Sequence, residues 1–167
     1  MMELLIRKAN ADEYNIALKL LREAALWLNE RHIDYWQGWL NPDNNLKGWI
    51  KSGFDHDEFY FVENNGEIIA MYRLQYDDEF FWGKRNDIAI YIHSLTTKRK
   101  LYGQRLGYQI LKIIEGNAKK DNRRFLRLDC GIDNKGLCQY YLNFGFKNKG
   151  TIVINGQREA LFEKTIA

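Results

Sequence analysis

"IAIYIHSLTTKRKLYGQRLGYQILKIIEGNA", residues 88–118, changes its hydrophobic period half-way along. Residues 88–95 are rich in isoleucine and alternate as a strand does, with Ala89, Tyr91 and His93 on one face and Ile90, Ile92 and Ser94 on the other. From Gly103 onward Leu106, Ile110, Ile113, Ile114 and Ala118 recur at helical spacing, and "FLRLDC" at 125–130 returns to strand. A strand, a helix and a further strand form a crossover, which makes the two strands parallel and their connection right-handed.

Outward from this unit the pattern is antiparallel. "EFYFVEN" and "EIIAMYRLQY" flank Asn65-Gly66, a hairpin signal, and "KNKGTIVINGQREALFEK" holds two strands around Asn155-Gly156. "ELLIRKA" at 3–9 reads as a first strand. Asn10 or Asp12 then caps a helix whose apolar face is Ile16, Ala17, Leu20, Leu21, Ala24, Ala25 and Leu28. Asn41-Pro42-Asp43 marks a turn before a short helix, "NLKGWIKS", and "DDEFFWGKRND" at 77–87 reads as a turn-like region. With a last helix in "NKGLCQYYLNF", the order is β-α-α-β-β-β-α-β-α-β-β. The expected fold is α/β: a mixed, mostly antiparallel central sheet with one parallel β-α-β crossover and helices on both faces.

Composition narrows the class. The chain has 167 residues, 46% hydrophobic with one proline, enough for one domain with a core and too few for two, so residues 1–167 are read as a single domain. Aromatic residues at 14% argue against disorder. No apolar run has the length of a membrane span and the first residues lack the form of a secretion signal, which points to a cytoplasmic protein without a membrane partner. The net charge of +3 is too small to indicate nucleic acid, although "TKRK" at 97–100 concentrates charge beside the glycine turn. Cys130 and Cys138 form no metal-type cluster and are expected to be buried thiols.

Three features together resemble the GNAT superfamily of N-acetyltransferases. Residues 91–111 are similar to that family's strand, basic loop and acyl-CoA pyrophosphate turn, Arg/Gln-x-x-Gly-x-Gly/Ala. "NKGLCQYYLNFGF" at 134–146 is similar to its later motif: an asparagine, then a tyrosine, then Gly-Phe four and five residues beyond. The element order is alike over nearly the whole chain. Two departures stand out. Tyr102 occupies the Arg/Gln position with Arg105 at the central glycine, and Leu137 stands where alanine is more common.

The resemblance implies an enzyme that moves the acetyl group of acetyl-CoA to a primary amine by direct attack in a ternary complex, with no metal. The same fold also admits a noncatalytic acyl-CoA-binding or partner-binding module. Expected partners are a small-molecule or peptide amine and, as a homodimer, a second copy of the chain. By the same resemblance, the backbone of Leu95 and Thr97 pairs with the pantetheine arm, and Tyr102, Gly103, Gln104, Arg105, Leu106 and Gly107 form the phosphate turn. Such a turn works through unpartnered N–H groups and the positive end of a helix, so Arg105 is tolerated if it points outward and adds a cation. The plainer alternative is that both glycines serve packing and the basic residues are a solvated face.

Acetyl transfer needs proton control, because a primary amine with a pKa of about 10.4 is protonated at neutral pH and the departing thiolate must gain a proton. Tyr141 matches the family tyrosine by its Gly-Phe spacing and is the candidate donor, with a core tyrosine as the alternative. Asn134 is both a helix cap and a candidate cofactor contact. The strand at 88–95 carries no acid, so His93, of a residue type with a pKa of about 6.5, is the candidate base or water-holder. Asp77, Asp78 and Glu79 are either a lure for a cationic substrate or a solvated turn.

Overall fold

The computed structural model describes residues 2–166. Its elements are β1 (Leu5–Lys8), α1 (Tyr14–Glu30), α2 (Asn44–Asp55), β2 (Phe59–Asn64), β3 (Glu67–Gln75), α3 (Glu79–Trp82), β4 (Ala89–Thr97), α4 (Leu106–Lys120), β5 (Phe125–Gly131), α5 (Lys135–Phe144), β6 (Lys147–Ile154) and β7 (Gln157–Thr165). The strands are hydrogen-bonded in the order β1-β2-β3-β4-β5-β7-β6. β4 and β5 run parallel, while β1-β2, β2-β3, β5-β7 and β6-β7 are antiparallel, the mixed sheet expected from sequence. The chain packs as two compact units, residues 2–74 with 94–107, and residues 75–93 with 108–166.

In the first unit α1 buries Ala17, Leu20, Leu21 and Ala25 against Ile50 and Phe54 of α2 and Phe59, Phe61 and Met71 of the hairpin. Its start is fixed by Glu13, which accepts from the backbone N–H of Asn10 at 2.8 Å and from Arg7. Asp43 caps α2 by accepting from the N–H of Leu46 at 2.9 Å. The helix continues past Ser52 because Phe54 still reaches the core, stacking on Phe59 with centroids 4.9 Å apart. Asn65 and Gly66 take φ of 50° and 78°, the left-handed pair that a two-residue hairpin requires.

Two features of the second unit and its border were not expected. "DDEFFWGKRND" contains a helical turn, α3, because Asp78 accepts from the N–H of Phe81 at 3.3 Å and Gly83, at φ 68°, ends it. Ser94, directly after His93, has φ 52° and interrupts the extended backbone of β4. The parallel register pairs Ala89, Ile90 and Tyr91 with Phe125, Leu126 and Arg127. Beside it lies an ionic core: Arg127, 1% exposed, donates to both oxygens of Asp87 at 2.6 Å, to Glu163 at 2.9 Å and to the Tyr91 hydroxyl at 2.8 Å.

Removing one partner from a buried ion pair is costly because the remaining charge stays desolvated, whereas apolar replacement of the charge itself is often tolerated. Asp87 is the exposed member of this group and Arg127 keeps Glu163 and Tyr91, so Asp87→Ala is expected to lower unfolding stability by only about 1 kcal/mol, and Arg127→Met together with Asp87→Ala to recover part of that loss. Urea melts of the two variants check this. Additive losses in the double variant would contradict it.

Candidate active site

Parallel pairing puts Tyr91 beside Arg127, so the next residues on that face, His93 and Asp129, lie one step beyond the last paired positions. The expected grouping of Ala89, Tyr91 and His93 on one face thus continues across β5 as Phe125, Arg127 and Asp129. α3 contributes to the same neighbourhood: the Phe81 ring is 5.5 Å from that of His93, and Trp82 is 6.1 Å from Tyr91.

His93 sits between two carboxylates. Its Nε2 is 2.8 Å from Asp78 Oδ2 and its Nδ1 is 3.8 Å from Asp129 Oδ1, with side-chain exposures of only 9%, 6% and 8% for His93, Asp78 and Asp129. Asp78 is therefore not a solvated turn residue: one oxygen caps α3 and the other holds the imidazole. Asp129 Oδ1 is buried without a hydrogen-bond partner among the described residues. Burial pushes the Asp129 carboxyl up to about 6, with His93 opposing and Asp78 reinforcing the rise. The three donor atoms lie within 4.8 Å of one another, the gathering a metal ion also needs, although the direct bond between His93 and Asp78 already joins two of them.

Tyr141, on α5, is buried, its ring 5.8 Å from Phe146 and 5.9 Å from Phe162. Burial, then the neighbouring Cys130, Tyr140 and Asp129, hold its hydroxyl far above the ordinary phenol range, so it keeps its proton near neutrality. Tyr140 packs edge-on at 5.7 Å and is half-buried. Asn134 is seen as a cap, accepting from the N–H of Leu137 at 3.3 Å. The two cysteines are free thiols; Cys130 is buried as expected, whereas Cys138 is half-buried.

The turn residues lie in the first unit. Tyr102 is exposed and packs on Trp27 at 5.2 Å. Gly103 has φ 84°, and a β-carbon added there would meet nothing within 4 Å, so the turn opens outward. Arg105 is exposed at φ 57°, a conformation glycine adopts freely and arginine does not, which explains why a glycine is the natural occupant. Gln104 donates its backbone N–H to Leu101 at 3.2 Å, Leu106 is buried, and Gly107 is in the first turn of α4. The basic loop is not simply solvated: Lys98 and Lys100 both reach Glu67 Oε1 at 2.7 Å, and Arg99 lies 5.3 Å from the Trp27 ring. The Thr97 carbonyl accepts from Arg99 at 2.9 Å, while Leu95 is half-buried in β4.

Residues 16–146 match the model of the Acetyltransferase (GNAT) family. An uncharacterised N-acetyltransferase of Bacillus subtilis, YesJ, is 27% identical over 88% of this chain and 82% of its own length. A GNAT-family acetyltransferase structure from Listeria monocytogenes is 25% identical with a TM-score of 0.79, covering 98% of this chain and 95% of that one. The PaiA N-acetyltransferase of Thermoplasma acidophilum, solved with coenzyme A, shares the fold at 17% identity and a TM-score of 0.70, over 98% and 99% of the two chains.

Asp129 gives the site a pH signature. Because its carboxyl is raised in the folded state, the native protein binds more protons than the unfolded chain between about pH 4 and 6, and stability is lost as pH rises through that window. The displacement corresponds to on the order of 3 kcal/mol. Asp129→Asn should therefore become more stable relative to the parent as pH rises from 4 to 7, in urea melts across that range. A stability difference independent of pH would contradict the assignment.

Proposed function

The chain belongs to the Acetyltransferase (GNAT) family and is an N-acetyltransferase, and we propose that it passes the acetyl group of acetyl-CoA to a primary amine by direct attack in a ternary complex. The observation that carries this reading is the imidazole of His93 held between two buried carboxylates. A primary ammonium must lose its proton before it can attack, and a positioned imidazole is suited to take it near neutrality. Asp78 Oδ2 lies 2.8 Å from Nε2 and Asp129 Oδ1 lies 3.8 Å from Nδ1, so both ring nitrogens face a carboxylate. The ring that takes the proton lies between the Asp78 and Asp129 carboxyl groups.

Bound acetyl-CoA supplies the activated thioester and a thiolate leaving group. The open turn at Gly103 and the first N–H groups of α4 fit its pyrophosphate, with Arg105 as an added cation. The proton that Tyr141 Oη retains near neutrality is the one offered to the leaving sulfur. The acceptor is a small-molecule or peptide amine, drawn by the acidic Asp77 and Glu79 beside the aromatic α3.

A thermal shift with acetyl-CoA followed by an amine panel, read through released thiol, tests the reading. A shift with turnover supports it, and a shift without turnover for any amine favours a noncatalytic acyl-CoA-binding module. Within an active panel, Tyr141→Phe should keep the fold and acetyl-CoA binding yet lower kcat by roughly 10²- to 10⁴-fold, the usual span of general acid catalysis. Tyr140→Phe should leave kcat nearly unchanged. Equal, small losses at both positions would remove Tyr141 from the chemistry.

A further inference from the structure

Cys130 is in β5 and Cys138 is in α5, eight residues apart, yet their Sγ atoms lie 3.4 Å from each other. Both are free. Cys130 is 1% exposed, while Cys138 is half-buried with its sulfur 3.6 Å from the Gly131 carbonyl. A disulfide has an S–S length of about 2.05 Å, so an approach of roughly 1.4 Å closes the bond. The acetyl-transfer chemistry proposed above does not use the pair.

We propose that Cys130 and Cys138 are a reversible thiol–disulfide site that responds to hydroperoxides, with the more accessible Cys138 reacting first and Cys130 resolving. The Cys138 thiolate attacks the terminal peroxide oxygen, the O–O bond breaks, and the sulfur becomes a sulfenic acid as the peroxide leaves as water or an alcohol. The Cys130 thiol then displaces water from that sulfenic acid, forming the S–S bond. In total two thiols lose two electrons and two protons, and the hydroperoxide accepts them. A dithiol reductant returns both thiols by exchange.

The position of the bond gives it a consequence. Cys130 follows Asp129 in β5, and Cys138 precedes Tyr141 by three residues, close to one helical turn of α5. Closing the bond draws the start of α5 toward β5 and shifts Tyr141, the proposed proton donor, and Asp129, which flanks His93. The expected loss of transfer rests on that assignment, whereas formation of the bond does not.

The test exposes the full-length protein to excess hydrogen peroxide, then counts thiols under denaturing conditions and maps tryptic peptides. In the parent both thiols should disappear, with fragments Leu128–Lys135 and Gly136–Lys147 joined, and a dithiol should restore both. Acetyl transfer should fall several-fold on oxidation and return on reduction. Cys138→Ser should keep its activity and its Cys130 thiol through the same treatment, and Cys130→Ala should stop at an oxidised Cys138 without the joined fragments. The site is overturned if the parent keeps both thiols, if Cys138 alone advances to a sulfinic acid, or if the link joins two chains. Should the joined fragments form while transfer is unchanged, the disulfide stands and the role given to Tyr141 fails.

Discussion

An imidazole flanked by two carboxylates and largely shielded from water is a demanding arrangement, and three separate elements must agree to produce it. β4 carries His93, β5 carries Asp129 in parallel register, and the cap of α3 places Asp78. Burial makes the electrostatics strong in both directions. It strengthens the bond between His93 and Asp78, and it leaves the unpartnered oxygen of Asp129 with a raised proton affinity. Next to it, Arg127 fully engages Asp87, Glu163 and Tyr91, so one face of β4 and β5 holds a saturated ionic group beside an unsaturated one.

The turn at 102–107, proposed above for the pyrophosphate, meets a different demand, that of leaving backbone N–H groups without a covering side chain. Gly103 leaves the space above it open, and Arg105 accepts a left-handed backbone that costs a non-glycine residue about 1 kcal/mol or more. An arginine kept in that conformation gains a cation at the turn in exchange for ease of folding. The neighbouring lysines share one carboxylate, Glu67, which they pull down to about 2.

Much of the fold was legible because it rests on local chemistry. Asn-Gly pairs announced both hairpins, and the change of period after Gly103 announced the crossover. His93 and its face followed from strand alternation. Asp78 did not, because three consecutive acids resemble a solvated turn; the signal present was the spacing from Asp78 through the aromatic run to Gly83, an N-cap and a stop. Asp129 was overlooked inside an apolar strand, although aligning the alternation of β4 with that of β5 would have placed it beside His93. The left-handed Ser94 and the approach of Cys130 to Cys138 have no sequence signal, since both are set by packing between elements.

The ratio of kcat for the parent enzyme to that for His93→Ala, measured from pH 6 to pH 9 on one primary amine at saturating acetyl-CoA, tests the proton-accepting role of His93 most directly. Neutral amine becomes more plentiful as pH rises, so a variant without the imidazole should recover toward the parent and the ratio should fall steadily. A ratio that stays flat across the range would contradict that role and leave His93 as a structural residue between its two carboxylates.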